Sequence, residues 1–170
     1  MKKLLIGCSA FTLSLAIGLT TSTAQDNGSQ LERLGDEIAD SVQLKNPTWR
    51  HEQVAPMKGS ENVLLQQWSS ESQSVRIAIV LHNSQDITRK VMRDLVRDGQ
   101  VKEILVDLGD EGVAWGRGTV SFRTRNLTID VSAVMKTPAL DVTKAAANLA
   151  EERKLSKEFA RLVADAIKDK

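Results

Sequence analysis

Apolar side chains recur along this chain in two periods, and the alternation between them sketches a fold. Leu31, Leu34, Ile38 and Val42 fall at helical spacing, which predicts a helix over 30–44. Ser29 and Glu32 have the S-x-x-E spacing of a capping box at its start, and Pro47 ends it. Residues 48–60 carry no period and read as irregular. Two strand-like runs follow, 63–68 and 75–82, joined by the polar, Ser-rich stretch 69–74 as a hairpin. Ile77, Ala78, Ile79, Val80 and Leu81 are apolar on both faces, as in a central strand.

Helical period returns over 84–98, with Ile87, Val91 and Leu95 on one stripe flanked by Met92 and Val96. Asn83 or Ser84 can cap its start, Asp86 suits the positive end of the dipole, and Gly99 suits the position after the last turn. Residues 101–106 read as a strand or an extended connection, 109–112 as a turn, and 113–115 as a short strand. Alternation is cleanest next. Val120 and Phe122 oppose Thr119, Ser121 and Arg123, while Leu127, Ile129, Val131 and Ala133 oppose Thr128, Asp130 and Ser132. With Arg125-Asn126 between them, 119–124 and 127–133 read as antiparallel strands with one covered and one wet face. After a linker containing Pro138, the chain is helical from Asp141. Leu155, Phe159, Leu162, Val163, Ala166 and Ile167 form a strong stripe, and Val142, Ala146 and Leu149 a weaker one. The six-residue step from Leu149 to Leu155 leaves one bent helix or two.

Adjacent strands with helices at both ends predict an α+β fold: an antiparallel sheet with helices packed on one face, including N-terminal and C-terminal helices. Regular β-α alternation, which a doubly wound parallel sheet needs, is missing.

The first 24 residues stand apart. Lys2 and Lys3 precede an uncharged run over 4–19, and Ser22 and Ala24 sit at the −3 and −1 positions of a cleavage site. That layout is a secretory signal peptide, so the reading is a signal peptide over 1–24 and one α+β domain over 25–170, periplasmic or extracellular. A retained anchor is the rival, but the 16-residue run is shorter than the roughly 20 residues of a spanning helix. Lipidation at Cys8 is another; Leu5-Ile6-Gly7-Cys8 looks like a lipobox, but Cys8 lies inside the apolar run instead of after it.

Composition then removes classes of function. Cys8 is the only cysteine, so a chain starting at Gln25 has no disulfide, thiol catalysis or thiolate metal site. Setting aside Lys2 and Lys3 leaves 21 basic against 22 acidic side chains, which gives no electrostatic case for nucleic acid or an anionic membrane. Aromatic content is 4%, with no Tyr, which weakens base stacking and carbohydrate platforms. No second apolar stretch is long enough to span a bilayer.

No cluster demands a chemistry. His51 and His82 each stand alone, without a zinc spacing. No nucleophile elbow or phosphate loop is present, so no catalytic residue, metal ligand or cofactor is assigned. Asp107, Asp110 and Glu111 fall short of a calcium loop. Arg89, Arg93 and Arg97, diluted by Asp86, Asp94 and Asp98, read as a solvated helix face. Asn126-Leu127-Thr128 is a glycosylation sequon, discounted for a leader of bacterial type. The most unusual segment is 108–118, with four Gly, one Trp and three charged residues. Its contact candidates for a ligand or partner are Trp115, Arg117, Asp110 and Glu111, against the plainer reading of two turns and a packed Trp.

Leu108-Gly109-Asp110-Glu111-Gly112, then Phe122-Arg123, then Asn126-Leu127-Thr128-Ile129-Asp130-Val131 and a closing helix resemble a pattern of secreted bacterial α+β domains. There an "LGDEA" turn precedes an "FRxGN" hairpin. This chain departs at Gly112, where Ala is usual, and at Thr124-Arg125, where Arg-Gly is common. Such domains mostly lack an assigned activity, so the resemblance implies an envelope domain and no catalytic residues. The function expected is a non-enzymatic binding or interaction domain of the bacterial envelope, its partner an unknown protein or small ligand. A small secreted hydrolase with a dispersed site and a structural or adhesive surface protein are the alternatives.

Overall fold

The computed structural model describes residues 22–55, 59–98, 101–136 and 141–168. Residues 1–21, and with them Cys8, lie outside these, as do Gly99 and Pro138. In chain order the elements are α1 (Ser22–Lys45), β1 (Arg50–Val54), β2 (Val63–Ser69), β3 (Gln73–Leu81), α2 (Gln85–Arg97), β4 (Val101–Leu105), β5 (Glu111–Trp115), β6 (Thr119–Thr124), β7 (Leu127–Met135) and α3 (Val142–Ile167). The seven strands form one antiparallel sheet in the order β1-β2-β3-β7-β6-β5-β4. Two meanders build it: β1 to β3, then β4 to β7, which returns so that β7 pairs with β3. This is an α+β fold.

α1 and α3 cover one face. Leu31, Ile38 and Val42 of α1 and Phe159, Val163 and Ile167 of α3 meet Trp68, Val75, Ile77, Ile79, Phe122, Ile129 and Val131 of the sheet, all buried. The hairpin β6–β7 places Phe122 opposite Ile129 and Val120 opposite Val131, so the period-2 pattern puts its apolar set under α3. Trp49 and Trp68 pack on Phe159, with ring centroids 5.0 and 6.4 Å apart, closing the core at the β1 end.

Three sequence expectations change, and one left open between alternatives is decided. First, α1 begins at Ser22, so Ser29 lies inside the helix and does not cap it. A capping box lowers the cost of starting a helix, but it does not stop an upstream turn from propagating, and no proline breaks 22–29. Second, part of 48–60 is the edge strand β1. Its side chains are exposed apart from half-buried His51, so it carries no apolar alternation, and pairing with β2 alone defines it.

Third, the C-terminal region is a single helix capped by Asp141, whose side chain accepts from Lys144 N at 2.8 Å. Polar residues fill the six-residue step in its stripe. Ser156 is fully buried and its Oγ accepts from Ala133 N at 3.0 Å; Glu152 Oε1 accepts from Met135 N at 3.0 Å. β7 outruns β6 here, so these two N–H groups have lost their strand partner, and α3 supplies acceptors in its place.

Fourth, the face expected to be wet is partly covered. α2 packs across its β6–β7 end, with Thr88 and Met92 buried and Thr88 Oγ1 donating to the Arg125 carbonyl at 3.0 Å. Ser121, Arg123 and Thr128 are consequently buried. Ser84 caps α2, accepting from Ile87 N at 3.4 Å. Two of its arginines meet its own acids: Arg89 with Asp86 at 3.1 Å and Arg97 with Asp94 at 3.0 Å.

Candidate functional site

The segment 108–118 divides into two clusters at opposite ends of β5. At the first, Gly109 has φ +61, and a Cβ there would come within 2.4 Å of the Arg123 carbonyl oxygen, so only glycine fits. That approach lets Asp110 N donate to Arg123 O at 2.8 Å. The Arg123 guanidinium, 8% exposed, then forks onto two carboxylates: NH1 to Asp110 Oδ2 and NH2 to Glu111 Oε1, each 2.9 Å. Asp110 Oδ2 also accepts from Arg125 N at 2.9 Å. Two planar-fork bonds to carboxylates are strong and directional. Asp110 and Glu111 are therefore engaged in clamping the 108–112 turn to the β6–β7 hairpin. His82 completes the clamp. Its backbone N donates to Asn126 O at 2.8 Å, its carbonyl accepts from Asn126 Nδ2 at 3.1 Å, and its Nε2 lies 2.8 Å from Thr128 Oγ1. The sequon asparagine is thus committed to His82, the residue after β3.

At the other end of β5, Trp115 is half-buried and Arg117 is exposed in the turn before β6. Trp115 lies four residue steps along β5 from Glu111, about 13 Å at a strand's rise, so Arg117 is not brought to Asp110 or Glu111. The Trp115 indole Nε1 donates to Ser121 Oγ at 2.5 Å, and Ser121 Oγ donates in turn to Asp130 Oδ1. Burial of one side of Asp130 against the sheet raises its carboxyl above the ordinary value, and the Ser121 hydrogen bond opposes that rise. The sequence candidates did not include Ser121, Asp130 or Arg123. A two-residue turn at Arg125-Asn126 fixes the register, however, and that register alone sets Ser121 opposite Asp130 and Arg123 opposite Thr128.

Two neighbouring rows of the sheet define the exposed surface. On the helix side, Gln66, Ile77, Val131, Val120 and Ala114 lie in register and are all buried. One residue along, on the opposite side, Val54, Leu65, Ala78, Asp130, Ser121, Val113 and Ile104 run across all seven strands. Val54, Asp130 and Ile104 of that row are exposed, and Leu65 and Ala78 half-buried. The next row adds Glu52, Gln67, Arg76 and Ser132. Among the described residues, α2 is the one helix that packs on this second face. At its β4 end, Met92, Val96, Ile104 and Val113 line a cleft of about 360 Å³, with Ile104 75% and Val106 84% exposed.

His51 lies on the helix side of the sheet, whereas His82 is held against Thr128 at the α2 end of the second face. His51 stacks on Trp68, centroids 4.5 Å apart at 27°, and its Nε2 is buried without a partner. Desolvation lowers its pKa, against a smaller opposing effect of Asp36; desolvation also lowers that of His82. Among the described residues, no group of three or more His, Cys, Asp or Glu side chains is placed to hold a metal ion, and no helix is long and apolar enough to cross a membrane. Comparison with protein-family models, with curated proteins and with solved structures finds no match to this chain.

Proposed function

We propose that this chain is a non-enzymatic binding domain exported to the bacterial envelope, and that the open sheet face around Trp115 and Asp130 is its contact surface. One observation carries the reading. Helices cover one face of the sheet, whereas the other keeps a row running from Val54 to Ile104 with no helix among the described residues over its β1–β3 half. Flat sheet area with apolar side chains among polar ones suits a protein partner. The half-buried Trp115 offers a rigid anchor, pre-oriented by its bond to Ser121. The apolar cleft beside α2 extends the same surface. The leader over 1–24 and the likeness of the turn and hairpin to secreted bacterial domains support the address.

The hydrolase alternative has less support. Its nearest feature is the His82–Thr128 pair, and Thr128 is 8% exposed and clamped beneath α2. A substrate would have to displace that helix to reach the hydroxyl.

Photo-cross-linking in intact cells tests the contact surface. A benzoylphenylalanine at Gln67 or Ser132 should trap a partner, and one at Asp40 or Arg161 on the helix layer should not. Trapping from the helix layer alone would reject the proposal. Intact-mass analysis tests the export: a protein beginning at Gln25 is expected, and a species retaining 1–24 or carrying lipid on Cys8 would contradict it.

A further inference from the structure

A cleft of about 230 Å³ opens on the other side of the sheet, between α1, the β6–β7 turn and the end of α3. Arg33 and Arg125 line it beside Leu34, Leu127 and Ile167. Neither arginine forms an ion pair with a described residue; Arg33 Nε reaches only the Ser29 carbonyl, at 3.4 Å. Arg125 stands at the first position of the two-residue turn with φ +52. That is a left-handed backbone, where glycine carries no penalty and arginine does. Two elements hold it there: its N–H donates to Asp110 and its carbonyl accepts from Thr88 of α2. Both of those bonds are to backbone atoms and would serve any residue. The fold therefore tolerates strain at a position where no hydrogen bond or ion pair among the described residues uses the arginine side chain. A strained residue with a charged side chain in a cleft is the pattern of a binding position.

We propose that this cleft binds a small amphipathic carboxylate, its head between Arg33 and Arg125 and its tail on Leu34, Leu127 and Ile167. Two guanidinium groups without an ion pair among the described residues favour a planar anion that accepts from their forks. Apolar side chains on the remaining walls favour a short hydrocarbon tail. Glu37 also lines the cleft. The volume lies below the ~300–1,000 Å³ of sites for drug-sized ligands, so the ligand is small. The site is separate from the open sheet face and stands or falls independently of it.

Calorimetric titration of the purified protein with hexanoate, hexanol and inorganic phosphate tests the proposal. Hexanoate should bind saturably and at least about tenfold more tightly than either of the others. Arg33→Gln and Arg125→Gly should each weaken it by about tenfold or more. Arg125→Gly should also leave Tm unchanged or raised, because glycine relieves the turn. Absence of saturable hexanoate binding would overturn the proposal. So would equal binding of hexanol or of phosphate, or undiminished binding by Arg125→Gly. A lowered Tm in Arg125→Gly would show that the arginine serves the fold instead.

Discussion

Arg123→Ala should be among the most destabilising single changes on the second face of the sheet. The substitution removes two charge-assisted hydrogen bonds of 2.9 Å, each worth about 1.5–3 kcal/mol when fully buried. Asp110 and Glu111 are 45% and 46% exposed, so both regain water when the guanidinium leaves, and the ionic loss falls to about 1–2 kcal/mol. The arginine stem is buried under α2 and adds up to about 0.8 kcal/mol per methylene. Together the loss is about 3 kcal/mol. Arg123→Met keeps most of the stem and should cost about 1 kcal/mol, since no buried charge is left behind. Asp110→Ala should cost more than Glu111→Ala, because Asp110 also holds the Arg125 N–H. Urea melts with a common m-value measure all four. If Arg123→Ala costs under about 0.5 kcal/mol, like an ordinary surface ion pair, the clamp is not what fixes the 108–112 turn.

Other consequences follow from burial. Ile129→Ala should cost about 2–5 kcal/mol, since the side chain is fully buried beneath α3; Thr128→Ala should cost about 1–2 kcal/mol, because its hydroxyl partners His82 under α2. Nearly neutral Thr128→Ala in the same melts would mean that α2 does not seal that end. Ser156→Ala should cost about 1–3 kcal/mol by orphaning Ala133 N, and faster hydrogen exchange at that amide is the specific readout. The folded-state pKa of His51 and of His82 lies below the ordinary value, so the native state binds fewer protons than the unfolded one. Stability should therefore hold above the unfolded histidine value of about 6.5 and fall as pH drops below it. His51→Phe keeps the stack on Trp68 and should flatten part of that fall; an unchanged slope would place the titration elsewhere.

Periodicity disclosed the elements whose burial is apolar. Phe122, Ile129 and Val131 under α3, the central β3 and the α2 cap at Ser84 follow from side-chain pattern. The edge strand β1 does not, because Arg50, Glu52 and Gln53 are polar and only pairing makes them a strand. Nor does the continuity of α3, where buried Ser156 and half-buried Glu152 occupy core-facing positions that a hydrophobic stripe leaves blank. The same blindness hid the clamp. Arg123 and Thr128 sit at outward positions of alternating strands, and the helix that buries them comes from an earlier part of the chain. Asp110 and Glu111 stood out by composition, and the structure explains their spacing by Arg123. Trp115 and Arg117 stood out too, but what sets Trp115 on an open face is the uneven distribution of helices, which no local pattern encodes.

The three tryptophans offer an internal control for the contact surface. Trp68 is fully buried, Trp49 packs on Phe159 on the helix side, and Trp115 lies on the second face. In a ¹⁵N-labelled protein each indole N–H gives its own resonance. Adding envelope extract should shift or broaden the Trp115 signal together with the amides of Leu65, Ala78 and Asp130, and leave Trp49 and Trp68 in place. A response confined to Trp49 and the amides of α1 and α3, with Trp115 unmoved, would contradict the assignment of the open sheet face.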